Sequence, residues 1–253
     1  MSVSEEHTIR MENIFYSVDG RKVLENVSFV LEKGVNRTIL GTSGCGKTTI
    51  LKLLLGLLVP DSGRIIVAGR ILEGLPESEQ LRIRKQIAIV FQGGALFDSM
   101  TVGENVGYRM FQDGELSERE IERVVLEKLS FVGLEDTIDF YPSQLSGGMK
   151  KRVAISRALA SNADYIFFDE PTTGLDPIGV YNICHLILRL QAEGKTTLMV
   201  THDMKTAFSV SERFSFIHKT HLIFEGTREE MLSSTLPGIL QFLSPTDQSL
   251  FAR

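Results

Sequence analysis

The spacing of apolar residues changes along the chain, and the changes predict its elements. Residues 8–40 hold short apolar runs broken by turn formers, and Asp19-Gly20 between two such runs is a β-hairpin signal. Ile39-Leu40 ends a strand, and the run from Thr49 to Leu55 begins a helix. Residues 57–63, Leu-Leu-Val-Pro-Asp-Ser-Gly, end that helix and turn into a strand over 64–69. Residues 86–91 read as another short buried strand. Residues 99–160 are mostly helical. Within them Ser117-Glu118-Arg119-Glu120 has the form of a capping box opening a helix over 121–132, which Gly133-Leu134 stops. From Asp164 onward strands and helices alternate again. Tyr165-Ile166-Phe167-Phe168 is continuously apolar, as suits a parallel strand buried on both faces, and Thr197-Leu198-Met199-Val200 reads as a further strand. In the tail, residues 236–253, apolar positions fall at Leu236, Ile239, Leu240, Phe242, Leu243, Leu250 and Phe251. That spacing suits a helix on the chain's own core better than one on a partner. The class is α/β.

Three segments carry chemistry. Gly41-Thr42-Ser43-Gly44-Cys45-Gly46-Lys47-Thr48, between a strand and a helix, fills every fixed position of G-x-x-x-x-G-K-[ST]. Glycines let such a loop curl its N–H groups onto phosphate oxygens, and the helix N-terminus adds partial positive charge. Lys47 would reach the β- and γ-phosphates and the Thr48 hydroxyl would ligate Mg²⁺. The strand over 165–168 ends in Asp169-Glu170, at the edge where open α/β sheets bind ligands. Asp169 suits Mg²⁺ and Glu170 suits the water that attacks a γ-phosphate; alone, two acids after a strand are equally a solvated turn. Leu145-Ser146-Gly147-Gly148-Met149 opens a helix and offers it an anion site or a plain Ser N-cap.

Composition narrows the classes. The 253 residues allow one domain, or a core with a subdomain, and 43% hydrophobic residues suffice for a core. A net charge of −5 gives no reason to expect nucleic-acid binding. Cys45 and Cys184, without metal-ligand spacing, suggest a reducing compartment. The polar, acidic first eight residues do not read as a signal peptide. The most apolar stretch, residues 50–59, is too short to span a bilayer and contains Lys52, so a membrane role is expected only through a partner.

The order of phosphate loop, Gln92, Leu-Ser-Gly-Gly, Asp-Glu, Gly174-Leu175-Asp176 and His202 resembles the nucleotide-binding subunit of ATP-binding-cassette (ABC) transporters, from about Ile9 to Gly226. The resemblance implies a P-loop NTPase fold with a RecA-like core, an antiparallel β subdomain and an inserted helical subdomain at about residues 99–160. The ATPase domain would cover residues 8–235, followed by the tail. ATP and Mg²⁺ are the implied cofactors. Gly41, Thr42, Ser43, Gly44, Cys45, Gly46, Lys47, Thr48 and Thr49 would wrap the triphosphate. Thr48, Gln92 and Asp169 would serve the metal. Glu170 is implied as catalytic base, and His202 as the γ-phosphate contact. Ser146, Gly147 and Gly148 would clasp the γ-phosphate bound by the opposite subunit of a head-to-tail dimer, with Asp176 at its seam. Gln92 would also link the site to an integral membrane permease, placing the chain at the cytoplasmic face of the inner membrane.

The chain departs from that family at three places. Met149 stands where Gln is usual. The adenine-stacking aromatic aligns with Val18, two residues after Tyr16, so Tyr16 reads either as core or as stacker. Asn36 and Arg37 occupy usually apolar strand positions, with no account from sequence. The segment from Gln92 through Gly93-Gly94-Ala95-Leu96-Phe97, with Leu-Ser-Gly-Gly-Met-Lys-Lys-Arg later, resembles ATPases of the Mce/Mla lipid transporters. These pair with a permease and an Mce-domain lipid-binding protein. Ala95, Leu96 and Phe97 form an apolar patch suited to docking, or a core turn. A polar amino-acid importer is the alternative.

Overall fold

The computed structural model describes residues 8–243; the tail positions Leu250 and Phe251 and the first seven residues lie outside the described part. In chain order the strands are β1 (Thr8–Val18), β2 (Arg21–Glu32), β3 (Arg37–Gly41), β4 (Ser62–Val67), β5 (Arg70–Ile71), β6 (Ile87–Val90), β7 (Tyr165–Asp169), β8 (Thr196–Thr201), β9 (Arg213–His218) and β10 (His221–Gly226). The helices are α1 (Lys47–Leu54), α2 (Glu77–Arg84), α3 (Val102–Asp113), α4 (Glu118–Phe131), α5 (Gly147–Ala160), α6 (Pro177–Ala192), α7 (Met204–Val210), α8 (Arg228–Leu232) and α9 (Pro237–Phe242). The described residues divide into two compact units, residues 8–80 with 198–243, and residues 81–197.

In the first unit β2, β1, β4 and β5 form an antiparallel sheet in that order. Asp19 and Gly20 turn the β1–β2 hairpin with positive φ of 50° and 75°, the pair of left-handed residues a tight two-residue hairpin needs. Ile9 and Met11 on β1 and Val27, Phe29 and Leu31 on β2 alternate into its core. β3 runs parallel to both β8 and β9, and β10 closes antiparallel on β9. Arg37 now has an account, and Asn36, just before β3, contributes its backbone. The Asn36 carbonyl accepts the Glu212 and Arg213 N–H groups at 3.2 Å each. Arg37 donates to Ser215 Oγ at 2.8 Å and pairs with the Glu225 carboxylate, and Thr38 Oγ1 meets Ser211 Oγ at 2.6 Å. These polar groups are tolerated in the strand because most of them meet a polar partner; the buried Arg37 Nε is the exception. The tail helix α9 packs on its own unit: Ile239 is fully buried and the Phe242 ring meets Phe216 edge-on at 5.0 Å.

In the second unit β6 and β7 pair in parallel, and all five residues of β7 are buried. Helices α3, α4 and α5 bury Val106, Val125, Leu129, Val153 and Ala154. α4 begins three residues before the expected start. The Glu120 carboxylate accepts the Ser117 N–H at 2.8 Å, so Ser117 is the cap and Glu118 already helical. Gly133, at φ +67°, ends it as expected.

Candidate functional site

In the first unit, β3 leads into the glycine loop and α1 leaves it. Glycine is obligatory at 41, where a Cβ would lie 2.6 Å from both Cys45 Sγ and the Ile217 carbonyl oxygen. Gly44 and Gly46 take φ of 79° and 100°, which side chains disfavour. Lys47 is buried; its Nζ donates to the Gly41 and Thr42 carbonyls at 2.8 and 2.9 Å, folding the ammonium over the loop. The N-terminus of α1 has no side-chain cap and no acidic residue in its first turn. An anion is what such a terminus accepts, so the loop fits a phosphate chain. Thr42, Ser43 and Gly44 are exposed, Thr48 and Thr49 half-buried, and the Cys45 thiol buried. Leu40 pairs with Thr201, so Gly41 and His202 leave adjacent parallel strands at one level. His202 is exposed there, and Asp203 caps the following helix by accepting the Lys205 N–H at 3.0 Å.

The second unit repeats this logic. Val90 pairs with Phe168, so Gln92 and Glu170 each stand two residues past the same register pair, with Asp169 the last residue of β7. Asp169 is buried. Glu170 has left-handed backbone, φ 47°, a conformation uncommon for a side-chain-bearing residue and concentrated at functional sites. Thr173 fastens the turn after it: its N–H donates to the Glu170 carbonyl at 3.3 Å and its Oγ1 to Glu170 Oε2 at 3.4 Å. Ser146 caps α5, accepting the Met149 N–H at 3.3 Å. With Gly147, Gly148 and Asp176 it lines a concavity of about 390 Å³. A Cβ on Gly147 would meet nothing within 4 Å, so this chain's own packing does not require glycine there.

The segment after Gln92 is held from two sides, which sequence reasoning missed. Arg157 on α5 donates to the Ala95 and Gly94 carbonyls at 2.8 and 2.9 Å and lies over the Phe97 ring. Burial pushes the Arg157 pKa down without removing its charge. Fully buried Asn105 accepts the Phe97 N–H at 2.8 Å and donates to the Phe97, Met100 and Thr101 carbonyls. Replacing it by alanine would strand these groups, so Asn105→Ala should cost about 2–4 kcal/mol, read as a lower urea midpoint at unchanged m-value. Phe97 is 41% exposed against Tyr108, not a core residue. Beside it Ser99, Met100, Glu104, Tyr108, Phe111 and Gln112 line a groove of about 530 Å³. Tyr16 is half-buried and Val18 exposed.

The family model described as ABC transporter matches residues 24–173. The chain belongs to that family. It is 38% identical to the "Intermembrane phospholipid transport system ATP-binding protein MlaF" of Haemophilus influenzae over 94% of this chain and 90% of that protein. It is 33% identical to the protein of the same name from Escherichia coli K12 over 96% and 91%. A solved dimeric ATP-binding cassette, in a post-hydrolysis state with ADP and Pi, matches with TM-score 0.80 at 32% identity, covering 87% of this chain and 98% of that one. The fold is the P-loop ABC ATPase fold, and the cassette is an ATPase. Among the described residues no helix is long and apolar enough to cross a membrane.

Proposed function

We propose that the cassette drives phospholipid transport in the cell envelope, as the ATP-hydrolysing subunit of an Mce/Mla-type complex. The observation that carries this reading is the identity, over nearly the whole chain, to proteins named for intermembrane phospholipid transport. Those relatives do not favour the amino-acid importer. The glycine loop, residues 41–49, binds the triphosphate. Thr48, Asp169 and Gln92 are oxygen donors of the kind Mg²⁺ takes, and the ion would offset charge on the phosphates. Glu170 accepts a proton from the attacking water, and His202 contacts the γ-phosphate. Ser146, Gly147 and Gly148 serve the nucleotide of a second copy, with Asp176 at the seam.

The membrane partner is an integral permease, joined by an Mce-domain lipid-binding protein, and the cassette sits on the cytoplasmic face of the inner membrane through that permease. The groove beside Phe97 receives the permease, because an aromatic left partly exposed at a groove is an efficient interface anchor. Phe97→Asp should leave the isolated subunit folded, with ATP binding intact and melting within a few degrees of wild type. It should abolish co-purification with the permease and ATP-driven movement of labelled phospholipid in proteoliposomes. A stable Phe97→Asp subunit that still assembles and transports removes the groove from the interface. Wild-type complex that hydrolyses ATP without moving phospholipid refutes the substrate.

A further inference from the structure

Lys151 lies on α5, five residues after the Ser146 cap, and is buried. Its Nζ donates to the Thr173 carbonyl at 2.6 Å. Thr173 is the residue that grips Glu170 through both its N–H and its hydroxyl. Burial pushes the Lys151 pKa down, and the nearby Glu170 carboxylate opposes that shift. A buried ammonium is costly, and an uncharged side chain could fill this place more cheaply. An aliphatic residue would fill the space and a glutamine would still donate to a carbonyl. Only a cation also acts on Glu170.

We infer that Lys151 is a positioning residue for Glu170: held on the Thr173 carbonyl, its ammonium fixes the turn that aims the carboxylate and supplies a neighbouring positive charge. The inference rests on the reading of Glu170 as catalytic base. It ties the helix opened by Ser146, Gly147 and Gly148 to the base of the same chain.

The experiment measures ATP turnover by the assembled complex for Lys151→Met, Lys151→Gln and Lys151→Arg, alone and with Glu170→Gln. Lys151→Met and Lys151→Gln should lower kcat by about 10- to 100-fold, the scale of a misplaced catalytic group, with KM for ATP within about two-fold. Lys151→Arg should keep a large part of the rate. In the Glu170→Gln background, Lys151→Met should change the residual turnover by less than about two-fold, since groups acting as one unit are non-additive. The glutamine variant keeps the length and a donor, so it answers the question even if the methionine variant folds poorly. Full activity in Lys151→Gln overturns the inference, because the charge is then dispensable. An equal fold-loss with and without Glu170 overturns it too, because Lys151 then acts independently of the base. Near-normal turnover of Glu170→Gln alone brings down the base reading and this inference with it. That result differs from an inactive Glu170→Gln paired with an indifferent Lys151, which sinks the inference only.

Discussion

Glu170→Gln is expected to lower steady-state ATP hydrolysis by roughly two to four orders of magnitude, the scale of a positioned general base. Glutamine keeps the shape and removes the charge that polarises water. The register of β6 and β7 brings Glu170 level with Gln92, and the left-handed backbone at 170 is strain that the turn through Thr173 holds in place. The Glu170 side chain supplies no part of the glycine loop, so ATP should still bind, measured by equilibrium dialysis or a fluorescent analogue. Turnover close to wild type in the purified complex would show that another group takes the proton.

Ser146→Arg is expected to abolish turnover and leave nucleotide binding to a single chain intact. The substitution puts a long cation into the concavity of Ser146, Gly147, Gly148 and Asp176. Its local structural cost is the lost cap on α5, about 1 kcal/mol, too little to unfold a helix whose Val153, Ala154 and Ile155 are fully buried. The lost activity therefore belongs to the second copy's nucleotide. Lys47→Ala, which removes the ammonium lying over the Gly41 and Thr42 carbonyls, should be inactive for the opposite reason, through its own nucleotide. Mixing the two inactive variants should restore up to about a quarter of the wild-type rate, since random pairing makes half the dimers mixed and each has one intact site. Coupling between the two sites would lower that fraction. Rate measurements across mixing ratios give the answer: a Ser146→Arg chain that hydrolyses ATP normally by itself means that each chain is self-sufficient.

The glycine loop and the buried strand β7 were legible because both obey local rules. Glycines at 41, 44 and 46 are needed where backbone approaches backbone or φ turns positive, and an unbroken apolar run has few options besides a strand buried on both faces. What was illegible is long-range and polar. Arg37 looked out of place because its partners, Ser215 and Glu225, lie some 180 residues on, and no period marks them. Lys151, Arg157 and Asn105 were passed over for the same reason. Each works by a side chain reaching the backbone of another segment, and such bonds leave no spacing signal. The start of α4 slipped because the apolar pattern marks the buried face from Ile121, whereas the cap marks the end of the helix.

Nucleotide is expected to join two copies of this cassette, each completing the site of the other. Light scattering on purified Glu170→Gln chain, with and without Mg²⁺-ATP and repeated with the permease present, tests it most directly. The expected result is the mass of one chain without nucleotide and of two chains with it, reversed when Ser146→Arg is added to the same chain. A mass that stays at one chain in saturating ATP, or cassettes held by the permease that show no ATP-dependent association, would contradict it.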